Sequence, residues 1–234
     1  MPPALLRPYV ALIRFGFRLL YNELAWTYDL VADVTSLGQW WDWQRAALPH
    51  LPRDGPVLEI AHGTGHMLVE VAATGRSVFG LDASAAMGKL ARRRLRRQGL
   101  TVPLVRGRVQ ALPIASHSLP ALLATFPTEF IVDPAALAEF RRVLRPDGRL
   151  VIVPSAVLKP TNLIQRIMRW AFIVTGQGSG EISDSDPDWP PRGRAIFARH
   201  GFDVQFQRSD LPRSRVYVAV LRVKTPGVAH PRKA

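Results

Sequence analysis

Residues 57–65 read VLEIAHGTG and residues 78–82 read VFGLD. The first is a short apolar run that breaks into a glycine-bearing turn. The second is a short apolar run that ends on a carboxylate. Runs of this length predict buried strands, over 56–61 and 77–81, with a helix over 65–74 between them. A bend poor in side chains lets a ligand approach the backbone, and the helix N-terminus behind it offers free N–H groups. Asp82 at the second strand tip can accept two hydrogen bonds from the vicinal hydroxyls of a ribose. Strand, glycine turn, helix, strand and acid in this order, with about 20 residues from turn to acid, point to a nucleoside ligand.

The same alternation continues outward. A helix is expected over 84–98, a strand over 102–105, a strand over 119–125 and a helix over 134–144. RPDG at 145–148 predicts a turn, and 149–153 a fifth strand. Strands alternating with helices imply a mostly parallel sheet covered on both faces. A helix over 192–200 and strands over 202–207 and 216–223 would close it with a hairpin, giving seven strands. Residues 1–48 read as an amphipathic helical lid, with apolar helical periodicity over 4–30. Residues 49–224 form the main domain, with a lid insertion at 154–191, and 225–234 a frayed tail.

Composition limits the chemistry. The chain has 234 residues, 47% of them hydrophobic, and no cysteine. That suits one folded domain and excludes disulfides, thiolate-ligated metals and a thiolate nucleophile. No His, Asp and Glu grouping has metal-ligand spacing, so no metal is expected. Thirty-one Lys and Arg against 18 Asp and Glu give +13. This excess favours anionic partners, or simply reflects an Arg-rich solvated exterior. RRRLRR at 92–97 reads as a solvated helix face with some anion affinity. LGQWWDW at 37–43 concentrates three Trp in seven residues. It is either a helical lid packed on the core or an interfacial segment suited to a membrane surface. The longest uncharged stretch, 109–128, carries Pro113, Pro120 and Pro127, so no spanning helix is expected. The expected location is the cytoplasm, with a peripheral place on the inner face of the membrane as an extension.

Taken together, these motifs resemble the class I S-adenosylmethionine-dependent methyltransferases. Residues 57–65 look like their first motif, GLDAS at 80–84 like the second and GRVQALP at 107–113 like the third. EFRRVLRPDGRLVIV at 139–153 is similar to their later helix–turn–strand, and LAWTYD at 24–29 to the "YD" element of the quinone-biosynthesis and phospholipid branch. The resemblance covers about 25–153. It implies a Rossmann-like fold, S-adenosylmethionine as cofactor, and transfer of its methyl group to a small lipophilic acceptor such as a quinone precursor or a lipid. By position it implies that Glu59 helps hold the methionine ammonium, that Gly63 and Gly65 admit the methionine part and that Asp82 holds the ribose. Ala83 and Met87 would pack on adenine, with Val109 offering its amide. Tyr28 would close over the methionine end, and Thr125 and Phe126 would border the transferred methyl.

Three positions depart from the family pattern. Ala61 stands where a Gly is usual and fits if its φ is negative. His62 replaces a small residue and brings an imidazole beside the ligand. Arg108 stands where an Asp commonly accepts from the adenine amino group, which leaves that role to a carbonyl or to Gln110. Glu129, just past the fourth strand, is the candidate general base or acceptor orienter, or else a helix N-terminal charge. His62 is a second candidate, whereas His66 and His117 read as ordinary surface or turn residues. The competing function is a non-catalytic protein on the same scaffold that binds a membrane surface or, with less support, RNA. An NAD-dependent oxidoreductase is disfavoured because GTG lacks the third glycine of the dinucleotide fingerprint.

Overall fold

The computed structural model describes residues 16, 19, 21–159 and 191–224. Seven strands form one sheet: β1 (Val57–Ile60), β2 (Val78–Asp82), β3 (Leu104–Arg106), β4 (Leu119–Thr125), β5 (Leu144–Leu158), β6 (Phe202–Leu211) and β7 (Ser214–Val223). Their order across the sheet is β3-β2-β1-β4-β5-β7-β6. The pairs β1–β2, β1–β4, β2–β3 and β4–β5 are parallel. β7 pairs antiparallel with both β5 and β6. The chain therefore builds outward from β1 in one direction and then restarts at β4 in the other. That reversal leaves a crevice beyond the carboxyl ends of β1 and β4.

Six α-helices are described: α1 (Tyr28–Thr35), α2 (Trp40–Arg45), α3 (His66–Ala73), α4 (Ala85–Arg97), α5 (Pro134–Val143) and α6 (Pro191–Arg199). Alternation along the strands separates two cores. Leu58, Ile60, Leu122, Leu150 and Ile152 meet Leu137 and Phe140 of α5 and Phe197 of α6. Val57, Leu123, Val151 and Val153 meet Met67, Leu68 and Val71 of α3, Leu95 of α4 and Trp43 of α2. Because both faces of the sheet are covered, the strands read as continuous apolar runs rather than alternating ones.

Four boundaries differ from expectation. The helix expected over 4–30 lies mostly outside the described residues, and its described end is broken. A turn over 22–24 and a 3-10 turn, Ala25–Thr27, separate Tyr21 from α1. The hydroxyl of Ser84 donates to the Tyr21 carbonyl at 2.6 Å, a tertiary bond that apolar periodicity does not encode. RPDG sits inside β5 as an outward loop. Leu144 pairs with Leu119 and Arg149 with Ala121, so residues 145–148 bulge from the ladder. β5 also runs on to Leu158, its far end pairing with Ser214 through Tyr217 of β7. The expected insertion thus begins as strand, and residues 160–190, like the tail 225–234, lie outside the described residues. β6 extends to Leu211 where 207 was expected, because β7 supplies a partner along its whole length.

Candidate functional site

The glycine turn is shaped by packing as well as by local preference. Gly65, with φ +80, caps α3, and a β-carbon there would lie 2.8 Å from Cβ and 3.1 Å from Cα of Ala91 in α4. Only glycine lets α4 come this close. Gly63 has φ 55, and Ala61 has φ 54. The condition of negative φ for alanine is therefore not met: Ala61 is held left-handed, by the bond of its amide to the Leu81 carbonyl at 2.7 Å among others. For a residue with Cβ this conformation costs about 1–2 kcal/mol.

Two carboxylates sit beneath the turn. Asp82 Oδ2 accepts from the Gly63 amide at 2.9 Å and Oδ1 from the Ser84 amide at 2.8 Å. Glu59 is 2% exposed, and its Oε2 is buried without a hydrogen-bond partner. Burial, then the nearby Asp82, hold the Glu59 carboxyl well above the ordinary range. A buried acid without a donor is costly, so this one marks a place where a donor is missing.

Around these acids lies a cleft of about 290 Å3, lined by Tyr28, Trp41, Gln44, Glu59, Ala61, His62, Gly63, Thr64, His66 and Thr125. His62 is buried, and its Nδ1 donates to the Gly63 carbonyl at 2.9 Å. Its ring lies against β2 where residue 80 has no side chain, and a β-carbon on Gly80 would come within 2.7 Å of His62 Cδ2. Burial lowers the His62 pKa, against the pull of Asp82. His66 stacks on Trp41, with ring centroids 3.3 Å apart. Burial, then Arg94, lower its pKa to about 4. Both imidazoles are therefore neutral near pH 7.

An aromatic series closes one side. Tyr21 and Tyr28 are 5.8 Å apart, Tyr28 and Trp40 6.5 Å, and Trp40 stacks on Phe126 at 4.3 Å. Burial, then Asp82, push the Tyr21 hydroxyl up to about 12. Trp43 donates its Nε1 hydrogen to the Ser214 hydroxyl at 2.8 Å and is buried. Within LGQWWDW, then, Trp43 is core and the other two Trp pack against cleft residues. Phe126 follows β4 with φ 46, so each of the strands that flank the crevice is followed directly by a non-glycine residue held left-handed.

The structure brings Tyr28, Glu59, Ala61, His62, Gly63, Asp82 and Thr125 together. Gly65 starts the adjoining helix, and Phe126 lies one ring away through Trp40. The other candidates are not among the residues that line the cleft. Ala83 is exposed, and its carbonyl accepts from Arg106 at 3.2 Å. Met87 is fully buried on α4, and the Val109 side chain lies in the core. Arg108 is exposed. The amide group of Gln110 donates to Asp133 at 2.6 Å, leaving its carbonyl to act as acceptor. Glu129 is exposed in a 3-10 turn, Glu129–Val132, and does not line the cleft. Sequence reasoning missed Trp41, Gln44 and Thr64, and it read His66 as an ordinary surface or turn residue, whereas it lines the cleft at the turn. Thr64 lay within the quoted turn. His66 follows the turn directly, whereas Trp41 and Gln44 carry no local signal, since a helix far from the turn in sequence brings them to it. Among the described residues no cluster of His, Asp and Glu is arranged to hold a metal ion.

A family model described as "Methyltransferase domain" matches residues 57–148. A demethylmenaquinone methyltransferase of Mycobacterium sp. (strain JLS) is 39% identical over 147 residues, which is 61% of this chain and 60% of that protein. The chain thus spans about three fifths of that relative. A demethylmenaquinone methyltransferase of Lactiplantibacillus plantarum is 32% identical over 163 residues, 65% of this chain and 68% of that protein. A Haemonchus contortus phosphoethanolamine N-methyltransferase 2, solved in complex with S-adenosyl-L-methionine, aligns with a TM-score of 0.56 at 14% identity. The alignment covers 79% of this chain and 52% of that one, and at this identity it speaks for the fold alone. The sheet reversal between β1 and β4, the glycine turn above paired acids and these matches agree that the chain belongs to the class I S-adenosylmethionine-dependent methyltransferases.

Proposed function

We propose that this protein transfers the methyl group of S-adenosylmethionine to a small, lipophilic acceptor of the quinone-precursor class. The observation that carries the reading is the buried Glu59 carboxyl, whose Oε2 has no hydrogen-bond partner, beside Asp82 at the crevice between β1 and β4. The cofactor fits this pair. Its ammonium is the donor that Glu59 lacks, and its ribose hydroxyls are donors for Asp82. When bound, it supplies an electrophilic methyl on a sulfonium.

The chain's own contribution is to bind, align and dry the site. Gly63 keeps side chains away from the turn. Tyr28 and Thr125 stand at the cleft wall where the acceptor must approach, and the Tyr28–Trp40–Phe126 rings suit a flat apolar molecule. Glu129 lies outside the cleft, so His62, neutral and lining it, is the group placed to take a proton from the acceptor, whereas His66 is held too acidic to serve as a base. Arg108 leaves adenine to be read by backbone or by the Gln110 carbonyl.

A lipophilic acceptor resides in a membrane, and an exposed apolar stripe supports a cytoplasmic protein that visits one. Trp26 is 73% exposed, and Leu30 and Val34 follow it at helical spacing on α1. No helix among the described residues is long and apolar enough to cross a bilayer. The demethylmenaquinone methyltransferases among its relatives support the quinone class. The test is incubation of the purified protein with labelled S-adenosylmethionine and a bacterial lipid extract, followed by mass analysis. A methylated quinone-type product is expected. Label that enters RNA instead, or no acceptor at all, would overturn the assignment.

A further inference from the structure

The basic run on α4 is not uniformly solvated. Arg94 turns inward and is about a quarter exposed. Its Nη2 donates to Asp29 Oδ2 at 2.5 Å, and its Nη1 to the Thr64 carbonyl at 2.6 Å. The Thr64 hydroxyl in turn donates to Asp29 Oδ1 at 2.7 Å. The three residues form a closed ring that joins α1, the glycine turn and α4. Neither Asp29 nor Arg94 lines the cleft, but their neighbours do: Tyr28 precedes Asp29, and Thr64 lies between Gly63 and Gly65. Thr64 is gripped at both its hydroxyl and its carbonyl. The turn around it has two glycines at positive φ and little rigidity of its own.

We propose that Asp29 is a positioning residue: with Arg94 and Thr64 it forms a latch that seats Tyr28 over the glycine turn and fixes the turn for the cofactor. The inference rests on the cofactor reading above. A charged, bidentate guanidinium and a carboxylate with both oxygens used leave α1 only one seat. The cap has a second attachment, Arg45 of α2 to Glu70 of α3 at 2.7 Å, but its arginine is more exposed than Arg94 and the pair bears on no turn atom. It serves as the control. A surface pair of this kind contributes little.

The test is titration of S-adenosylmethionine by calorimetry, paired with thermal melts. Asp29→Asn and Arg94→Met should each bind roughly tenfold more weakly, and the double variant no more weakly than either one. Arg94→Lys, which keeps the charge but not both bonds, should fall between. Arg45→Ala should bind like wild type. In a Tyr28→Ala background Asp29→Asn should weaken binding by clearly less than tenfold, because there is no ring left to seat and only the loosened turn still counts. A general loss of stability would instead weaken binding equally in both backgrounds, and that result would overturn the latch. So would affinities within about twofold of wild type for both single variants. If wild-type protein itself ignored S-adenosylmethionine, the function would fall and the latch with it, which separates the two failures.

Discussion

Two carboxylate clusters lie against this sheet, and they are built in opposite ways. Glu139 on α5 meets Arg142 at 2.6 Å and also accepts the Leu112 amide at 2.7 Å. Arg142 goes on to the carbonyls of Ile114 and Leu112 at 2.7 and 2.9 Å. The bond to Arg142 comes first in holding the Glu139 carboxyl below its ordinary range. Glu59 faces another acid, lacks a donor for one oxygen and is pushed upward. The first cluster is complete within the chain and fastens a loop. The second is complete only when something else supplies donors. Unmet hydrogen-bonding capacity, more than charge or burial, separates a binding site from a brace.

The largest effect should come from Asp82→Ala. Losing two charge-assisted bonds to the ribose should weaken S-adenosylmethionine roughly hundredfold by calorimetry. Equal affinity would abolish the distinction between the clusters. The Gly63 and Ser84 amides also lose their acceptor, so the melt should drop as well.

Glu59→Gln should weaken the same binding roughly tenfold while raising stability at neutral pH. The sign follows from linkage. The folded pKa lies above the unfolded one, so the protonated carboxyl contributes stability that is full below the unfolded pKa. That contribution is lost as pH rises through the folded value. The melting advantage of the variant over wild type should therefore grow from acid towards neutral pH. A constant difference would show that Glu59 is not held protonated by burial.

Arg142→Ala should leave cofactor affinity unchanged and lower stability by about 1 kcal/mol, a fall of ~2–4 °C in melting temperature. Here the pH trend reverses. The depressed Glu139 pKa contributes stability above the ordinary glutamate value, and this is lost as pH falls through the folded one. The penalty should fade in acid, which melts at pH 3 and pH 7 would reveal. The smallest change is expected from Ala61→Gly, which relieves the left-handed strain and should raise stability by about 0.5–1 kcal/mol. A loss would mean that the methyl group packs better than the backbone suffers.

Much of this was legible residue by residue. Apart from Glu59 and the terminal Asp82 and Thr125, VLEI, VFGLD and LPALLAT are apolar because both faces of their strands are buried, and that pattern survives in the sequence. Asp82 and Gly63 were legible as a pair because the strand–turn–helix–strand spacing places them together whatever the rest of the chain does. The RPDG turn was readable as a turn but not as a bulge, since its pairing depends on β4. The 4–30 periodicity concealed a break at 22–24, because the Ser84 hydroxyl, just before α4, claims the Tyr21 carbonyl. Arg94 was indistinguishable from the four other arginines of its run until Asp29 and Thr64 were placed beside it.

The sequence by itself determined the order of strands and helices and the two acids and glycines at the crevice, because these depend on local spacing and on burial along single elements. Tertiary structure decided which side chains close the site, Trp41, Gln44 and His66 among them, and which arginine of a basic run acts. Those outcomes depend on helices meeting across more than 20 residues of chain, and no local pattern records which groups will be neighbours once both faces of the sheet are packed.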